Sequence, residues 1–182
     1  MTVQSPILFA GQILFQSQPG HGTETFVLPT GKECQIRKVS LQFKRWTQPV
    51  LFDTYNGKPV VEYNARPMFA EVAVVLELKS QGYDTAWVDS YRNKFWQAMP
   101  SPGTDVFLDN ELGMAYNRIK AINGRRGGCW DIMAIKGTEL IFAELKLIAK
   151  DRIRDNQVKW LESALTAGYK PKQFLIVEWN FC

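Results

Sequence analysis

Two apolar runs, over positions 129–135 and 140–147, stand on either side of a Lys136-Gly137 step, and they constrain the fold of this chain more than any other feature. Each has the length and residue types of a β-strand, and a glycine between them suits a tight connection. Side chains alternate across a strand, so Glu144 and Lys146 project from one face of the second run. If the runs pair as a hairpin, Asp131 in the first comes beside them. Two carboxylates and one ammonium then meet at one edge of a sheet.

That trio suits one chemistry in particular. Hard divalent cations such as Mg²⁺ are held by one or two carboxylates together with waters and phosphate oxygens. Such an ion polarises a phosphodiester and lowers the pKa of water, and a neighbouring lysine can orient the attacking water or neutralise developing charge. An E-x-K triplet alone is a weak signal, because strand ends often carry solvated opposite charges.

The run Asp131 … Glu144-Leu145-Lys146, followed by Asp151-Arg152-Ile153-Arg154-Asp155-Asn156-Gln157-Val158-Lys159-Trp160-Leu161 and then Gly168, resembles the PD-(D/E)XK nuclease superfamily. Within it, the chain is similar to the VRR-NUC and Holliday-junction-resolvase-like branch, whose members place a glutamine on the helix after the E-x-K strand. One departure is Trp130 where the family pattern has proline. The resemblance spans residues 66–179 and is most specific over 127–168. It implies an α/β, restriction-endonuclease-like core, a mixed sheet flanked by helices, and a Mg²⁺- or Mn²⁺-dependent deoxyribonuclease. It further implies that Asp131, Glu144 and the Leu145 carbonyl bind the metal, that Lys146 assists water attack, and that Gln157 supports the site. A homodimer is a common assembly in this group.

Composition sets the outer limits. A chain of 182 residues with 46% hydrophobic content is long enough for one well-cored domain with a modest appendage. A net charge of +4 is compatible with a polyanionic partner without demanding one. The three cysteines, Cys34, Cys129 and Cys182, have no C-x-x-C spacing, so a disulfide framework and a structural zinc site are disfavoured and a reducing, cytoplasmic setting is expected. No stretch approaches the roughly 18–20 apolar residues of a membrane span, and no signal sequence opens the chain. The lone His21 lies in a turn-like Pro-Gly-His-Gly stretch, which argues against a histidine-based triad.

Residues 1–65 read as an antiparallel β-rich extension, with short β-forming runs over 7–15, 25–28, 34–46, 50–54 and 59–63 and a hairpin turn at Asn56-Gly57. Lys32, Arg37, Lys38, Lys44 and Arg45 either touch a phosphate backbone or form a solvated strand face. Trp46 either stacks on a base or packs in the core. The nuclease core is then expected over 66–182. Arg66-Pro67 opens a helical pattern that ends near Gln81-Gly82, with Phe69, Val72, Ala73 and Leu76 inward. Glu71 is the family's acidic residue on the helix before the sheet, with Glu77 as competitor. Its other reading is a complement to the helix dipole. The run 83–88 is the first core strand, and Asp84 and Asp89 either reach the site or are solvated residues of strand ends.

An insertion over about 90–126 mixes aromatic and basic residues, carries a helix over 109–122, and suits a lid or a substrate-selecting element. Arg118, Lys120, Arg125 and Arg126 before the Asp131 strand, with Lys150, Arg152 and Arg154 after Lys146, are the candidate DNA phosphate contacts, against the alternative of a solvated face. Asp155 is the expected N-cap of a helix to about Thr166 that carries Gln157 in its first turn. The apolar run 172–179 is a buried strand.

The functional expectation is a nuclease cutting DNA, as an endonuclease or an exonuclease, in a setting such as phage or mobile-element DNA processing, repair or restriction. The alternative is a non-catalytic nucleic-acid-binding or assembly protein on a nuclease-like fold, since fold does not fix function. RNA is the third substrate reading.

Overall fold

The computed structural model describes residues 22–124 and 126–182. The expected strand over 7–15, the His21 turn and Arg125 lie outside the described residues. The described strands are β1 (Thr23–Val27), β2 (Glu33–Arg45), β3 (Val61–Tyr63), β4 (Arg66–Met68), β5 (Asp84–Asp89), β6 (Lys94–Trp96), β7 (Ile132–Lys136), β8 (Glu139–Leu147) and β9 (Phe174–Phe181). Among the described residues the helices are α1 (Ala70–Ser80), α2 (Glu111–Asn123) and α3 (Asp155–Thr166), with one 3₁₀ turn at Pro171–Gln173.

All the strands join one mixed sheet in the order β4-β3-β2-β9-β8-β7-β5-β6, with β1 also on β2. The central pairs β2–β9 and β8–β9 are parallel, and the others are antiparallel. A mixed α/β fold with helices against the sheet is therefore what the chain adopts. Strands β8 and β9 read as near-continuous apolar runs because both faces are covered. Ile141, Ala143, Leu145 and Leu147 pack on the α1 side, while Leu140 and Phe142 pack with Phe174, Trp160 and Leu161 on the side of α2 and α3. Phe142 stacks on Phe174 with centroids 4.8 Å apart, and Trp130 meets Phe174 edge-on at 5.0 Å.

The segment expected to be a separate extension is woven into this sheet. β2 runs parallel to β9 from Arg37↔Leu175 to Phe43↔Phe181. The β3–β4 hairpin turns at Asn64-Ala65, on the expected boundary itself. The physical reason is written in β2. Cys34 and Ile36 are buried on the α2/α3 side, whereas Val39, Leu41 and Phe43 are buried on the α1 side. The apolar positions change parity between Ile36 and Val39, so each half of the strand supplies a different face of the core.

Two local expectations are corrected. Residues 66–68 are strand rather than the first helical turn, because they pair with β3, and α1 begins at Ala70. Asn56-Gly57 is not a tight hairpin turn but part of the loop 46–60 that joins the antiparallel β2 and β3. Tyr55, Asn56 and Gly57 all have positive φ (52°, 63° and 86°), and Lys58 N–H donates to the Thr54 carbonyl at 2.7 Å, closing a compact left-handed turn. No helix among the described residues is long and apolar enough to cross a membrane.

Candidate functional site

The β7–β8 hairpin forms as its sequence demands, with Ile132 opposite Ala143 and Lys136 opposite Glu139. One residue beyond the last paired position, the ladder gives way to side chains. Asp131 N–H donates to Glu144 Oε2 at 3.1 Å, and Leu145 N–H donates to Asp131 Oδ2 at 3.0 Å. The Asp131 carbonyl accepts from Val88 N–H at 2.7 Å, which ties it to β5. The two carboxylates thus replace main-chain partners where β7 and β8 part.

Lys146 projects beside Glu144, as the strand period requires, and its Nζ lies 2.8 Å from Glu144 Oε1. Gln157, at the third position of α3, joins both. Its Nε2 donates to Glu144 Oε1, and its Oε1 accepts from Lys146 Nζ at 3.2 Å and from Arg154 N–H at 3.0 Å. The helix cap is therefore Arg154, with Asp155 as the first helical residue, and Gln157 reaches back to satisfy the cap N–H. Glu144, Lys146 and Gln157 are all buried. Gly128 lets the preceding loop run against this helix start, and Trp130 Nε1 donates to the Gln157 carbonyl at 3.3 Å.

These residues form the floor of a cleft of about 440 Å³. Its far wall comes from the other face of the sheet. Glu71 on α1 is buried and pairs with Lys58 at 2.6 Å. Glu77, its competitor, lies away from the cleft and bonds Tyr63 Oη at 2.9 Å. Asp89 lines the cleft, whereas Asp84 sits at the opposite end of β5, bonded to Gln97 and Asn110.

Burial, then the Glu144 and Glu71 carboxylates, push the Asp131 carboxyl well above the ordinary carboxylate range. Burial also raises Glu144, with Lys146 and Gln157 pulling against it. Burial works to lower Lys58, but the Glu71 carboxylate, and then Asp131 and Asp89, outweigh it and hold that ammonium above the usual lysine value. The cleft is thus an acidic cluster held together by the protein's own cations. The Cys129 thiol is pushed well above its ordinary pKa by burial and then by the Glu144 and Asp131 carboxylates.

The carboxylates lining the cleft, Glu71, Asp89, Asp131, Glu144 and Asp151, offer oxygen donors, the type a hard cation prefers. Glu71 Oε2 is buried without a hydrogen-bond partner. Among the described residues, no three His, Cys, Asp or Glu side chains gather in a group placed to hold a metal ion. Glu71 pairs with Lys58, and Glu144 is hydrogen-bonded by Lys146, Gln157 and the Asp131 N–H.

Of the basic residues expected to grip phosphates, Arg154 lines the cleft. Arg118 lies towards Gly168 and Tyr169, and Lys120 donates to Asn93 outside the cleft. Arg126, Lys150 and Arg152 are exposed and do not line it. On β2, Lys38 pairs with Glu178, Lys44 with Glu62, and Arg45 stacks over Phe181, so these three are engaged within the protein. Trp46 is half-buried. The cations that do line the cleft besides Lys146 and Arg154 are Lys58 and Arg92. Neither has a local sequence signal, since Lys58 follows a turn and Arg92 follows the end of β5. No family model, no curated protein and no solved structure matches this chain.

Proposed function

We propose that the chain is a divalent-metal-dependent nuclease that hydrolyses DNA phosphodiester bonds on a PD-(D/E)XK-type core. The observation that carries this reading is the buried knot of Glu144, Lys146 and Gln157 with Asp131 directly across the hairpin, opening onto a cleft. Burying two carboxylates and an ammonium together is costly, and it pays back as function more readily than as stability. Asp131 and Glu144 are the residues that hold the metal, with the Leu145 carbonyl as the further ligand the resemblance implies and Glu71 facing them. A bound Mg²⁺ or Mn²⁺ supplies Lewis-acid polarisation of the phosphodiester and lowers the pKa of water at the site.

The chain's own residues do the rest. Gln157 fixes Glu144 and Lys146 in one geometry through both ends of its amide, so neither side chain needs to reorganise at the moment of reaction. Lys146 presents an ammonium proton to an attacking water or to charge developing on the phosphate. Lys58 and Arg154 place positive charge on opposite walls, where a phosphate backbone enters.

A second reading, a nucleic-acid-binding module without catalysis, is favoured by the absence of a three-ligand group among the described residues. One assay separates the two. Labelled duplex, single-stranded, flap and four-way-junction DNAs, and matching RNAs, are incubated with Mg²⁺, Mn²⁺ or EDTA, beside Lys146→Ala. Metal-dependent cutting that the variant loses supports the nuclease. Cutting by Lys146→Ala at the wild-type rate, or no cutting of any substrate, refutes it.

A further inference from the structure

The mouth of the cleft carries a feature that phosphodiester chemistry does not need. Arg92, in the turn after β5, lays its guanidinium 3.5 Å from the centroid of the Tyr55 ring and 5.6 Å from that of Tyr91. Asp89 holds it there. Arg92 Nη1 donates to Asp89 Oδ2 at 3.1 Å, and Arg92 N–H donates to Asp89 Oδ1 at 3.1 Å. Asp89 is only 5% exposed, so a buried carboxylate is committed to fixing one cation's plane. Beside it, Tyr91 is 91% exposed. Tyr55, Asp89, Tyr91 and Arg92 line the same cleft as Asp131 and Lys146. Lys58 lines the same cleft.

We propose that Tyr91, Arg92 and Tyr55 form a nucleobase subsite, which takes an unpaired base of a strand whose phosphate lies over the carboxylates. Flat aromatic and guanidinium faces bind bases by stacking, whatever the base, because every base has a π-face. A base within duplex DNA is already stacked on its neighbours and has no free face to offer. The ligand class is therefore single-stranded nucleic acid, or an unpaired nucleotide at a flap or junction. Arg92 is pre-ordered by Asp89, so little of its side-chain entropy is lost when a base lands beside it. The inference rests on the phosphodiester reading of the cleft and names the substrate form within it.

The test is binding in EDTA, where no metal-dependent cutting intervenes. Anisotropy is recorded for a labelled oligothymidylate single strand and for a labelled blunt duplex against the wild type, Tyr91→Ala, Tyr91→Phe and Arg92→Lys. The expected result is tighter binding of the single strand. Tyr91→Ala weakens that binding about 5- to 160-fold, the range for losing one base–aromatic stack, and leaves duplex binding unchanged. Tyr91→Phe retains affinity, and Arg92→Lys, which keeps charge and loses the plane, behaves like Tyr91→Ala. Unchanged single-strand affinity in Tyr91→Ala, an equal loss for both DNAs, or no single-strand binding by the wild type overturns the subsite. Tyr91-dependent binding without any cleavage refutes the nuclease alone, and metal-dependent cleavage with Tyr91-independent binding refutes the subsite alone.

Discussion

Replacing Gly128 by alanine tests how the loop before β7 sets the position of α3. Gly128 has φ +81°, and a Cβ built there meets the Asn156 carbonyl oxygen at 2.1 Å, its carbon at 2.4 Å and Gln157 N at 2.8 Å. Its neighbour Gly127 is the internal control. It has φ +69°, and its Cβ finds nothing nearer than Asn156 Nδ2 at 3.9 Å. Gly127→Ala therefore incurs only the left-handed backbone penalty, about 1–2 kcal/mol. Gly128→Ala incurs the same penalty plus a clash with main chain, which cannot swing aside as a side chain can. Moving the Asn156 carbonyl to an ordinary contact requires a shift of about 1 Å, and overpacking of this kind adds about 1–3 kcal/mol. The shift acts on the helix turn that carries Gln157, and misplacement of about 1 Å can lower a rate roughly 100-fold. Urea denaturation of both variants gives the stability difference, and the cleavage assay gives the rate. Equal destabilisation in the two variants refutes the close-approach argument, and a stable Gly128→Ala that cuts at the wild-type rate refutes the claim that this loop positions Gln157.

Further outcomes follow from the same contacts. Gln157→Leu removes the donor to Glu144 and the acceptor of Lys146, and it should lower metal affinity or cleavage by about 10- to 100-fold, measured by Mn²⁺ titration calorimetry beside the cleavage assay; wild-type values in both remove its positioning role. Lys58→Met leaves the buried Glu71 carboxylate without its cation and should cost about 1–3 kcal/mol, less than a fully buried pair because Lys58 is partly solvated. Lys58→Met with Glu71→Leu should recover most of that loss in urea, and failure to recover shows that the pair is not the source. The Asp131 carboxyl is raised in the folded protein, so its protonated form stabilises the metal-free fold below the ordinary carboxylate pKa of about 3.9. That contribution is lost as pH rises through the raised value. Asp131→Asn should therefore gain stability over the metal-free wild type at neutral pH, and the gain should shrink towards acid. A gain that grows at low pH contradicts the direction of the shift.

Much of the floor of the cleft was legible in the chain. Glu144 and Lys146 two apart on a strand must share a face, and a short turn at Gly137 must set Asp131 across from Glu144. Gln157 in the first turn of the helix after β8 was legible as well, though its double hold on Glu144 and Lys146 was not, because both contacts cross between elements. The expected phosphate contacts fared differently. Arg118 and Lys120 are near the cleft in sequence, but helical periodicity turns them outward while Ile119 enters the core.

What the sequence by itself determined is local. The periods of 2 and 3.6 and the glycine turns define the β7–β8 hairpin, α2, α3 and the buried runs of β8 and β9, because each is set by neighbours a few residues apart. Tertiary structure alone decided which distant segments meet. β2 lies against β9 because its apolar residues change face between Ile36 and Val39 and need both layers of the core. Residues 66–68 became strand because β3 offered a partner. Lys58, Tyr55 and Arg92 reached the carboxylates because a left-handed turn and a strand end deliver them to one cleft. Their attraction to Glu71 and Asp89 acts through space, across separations along the chain that no sequence period records.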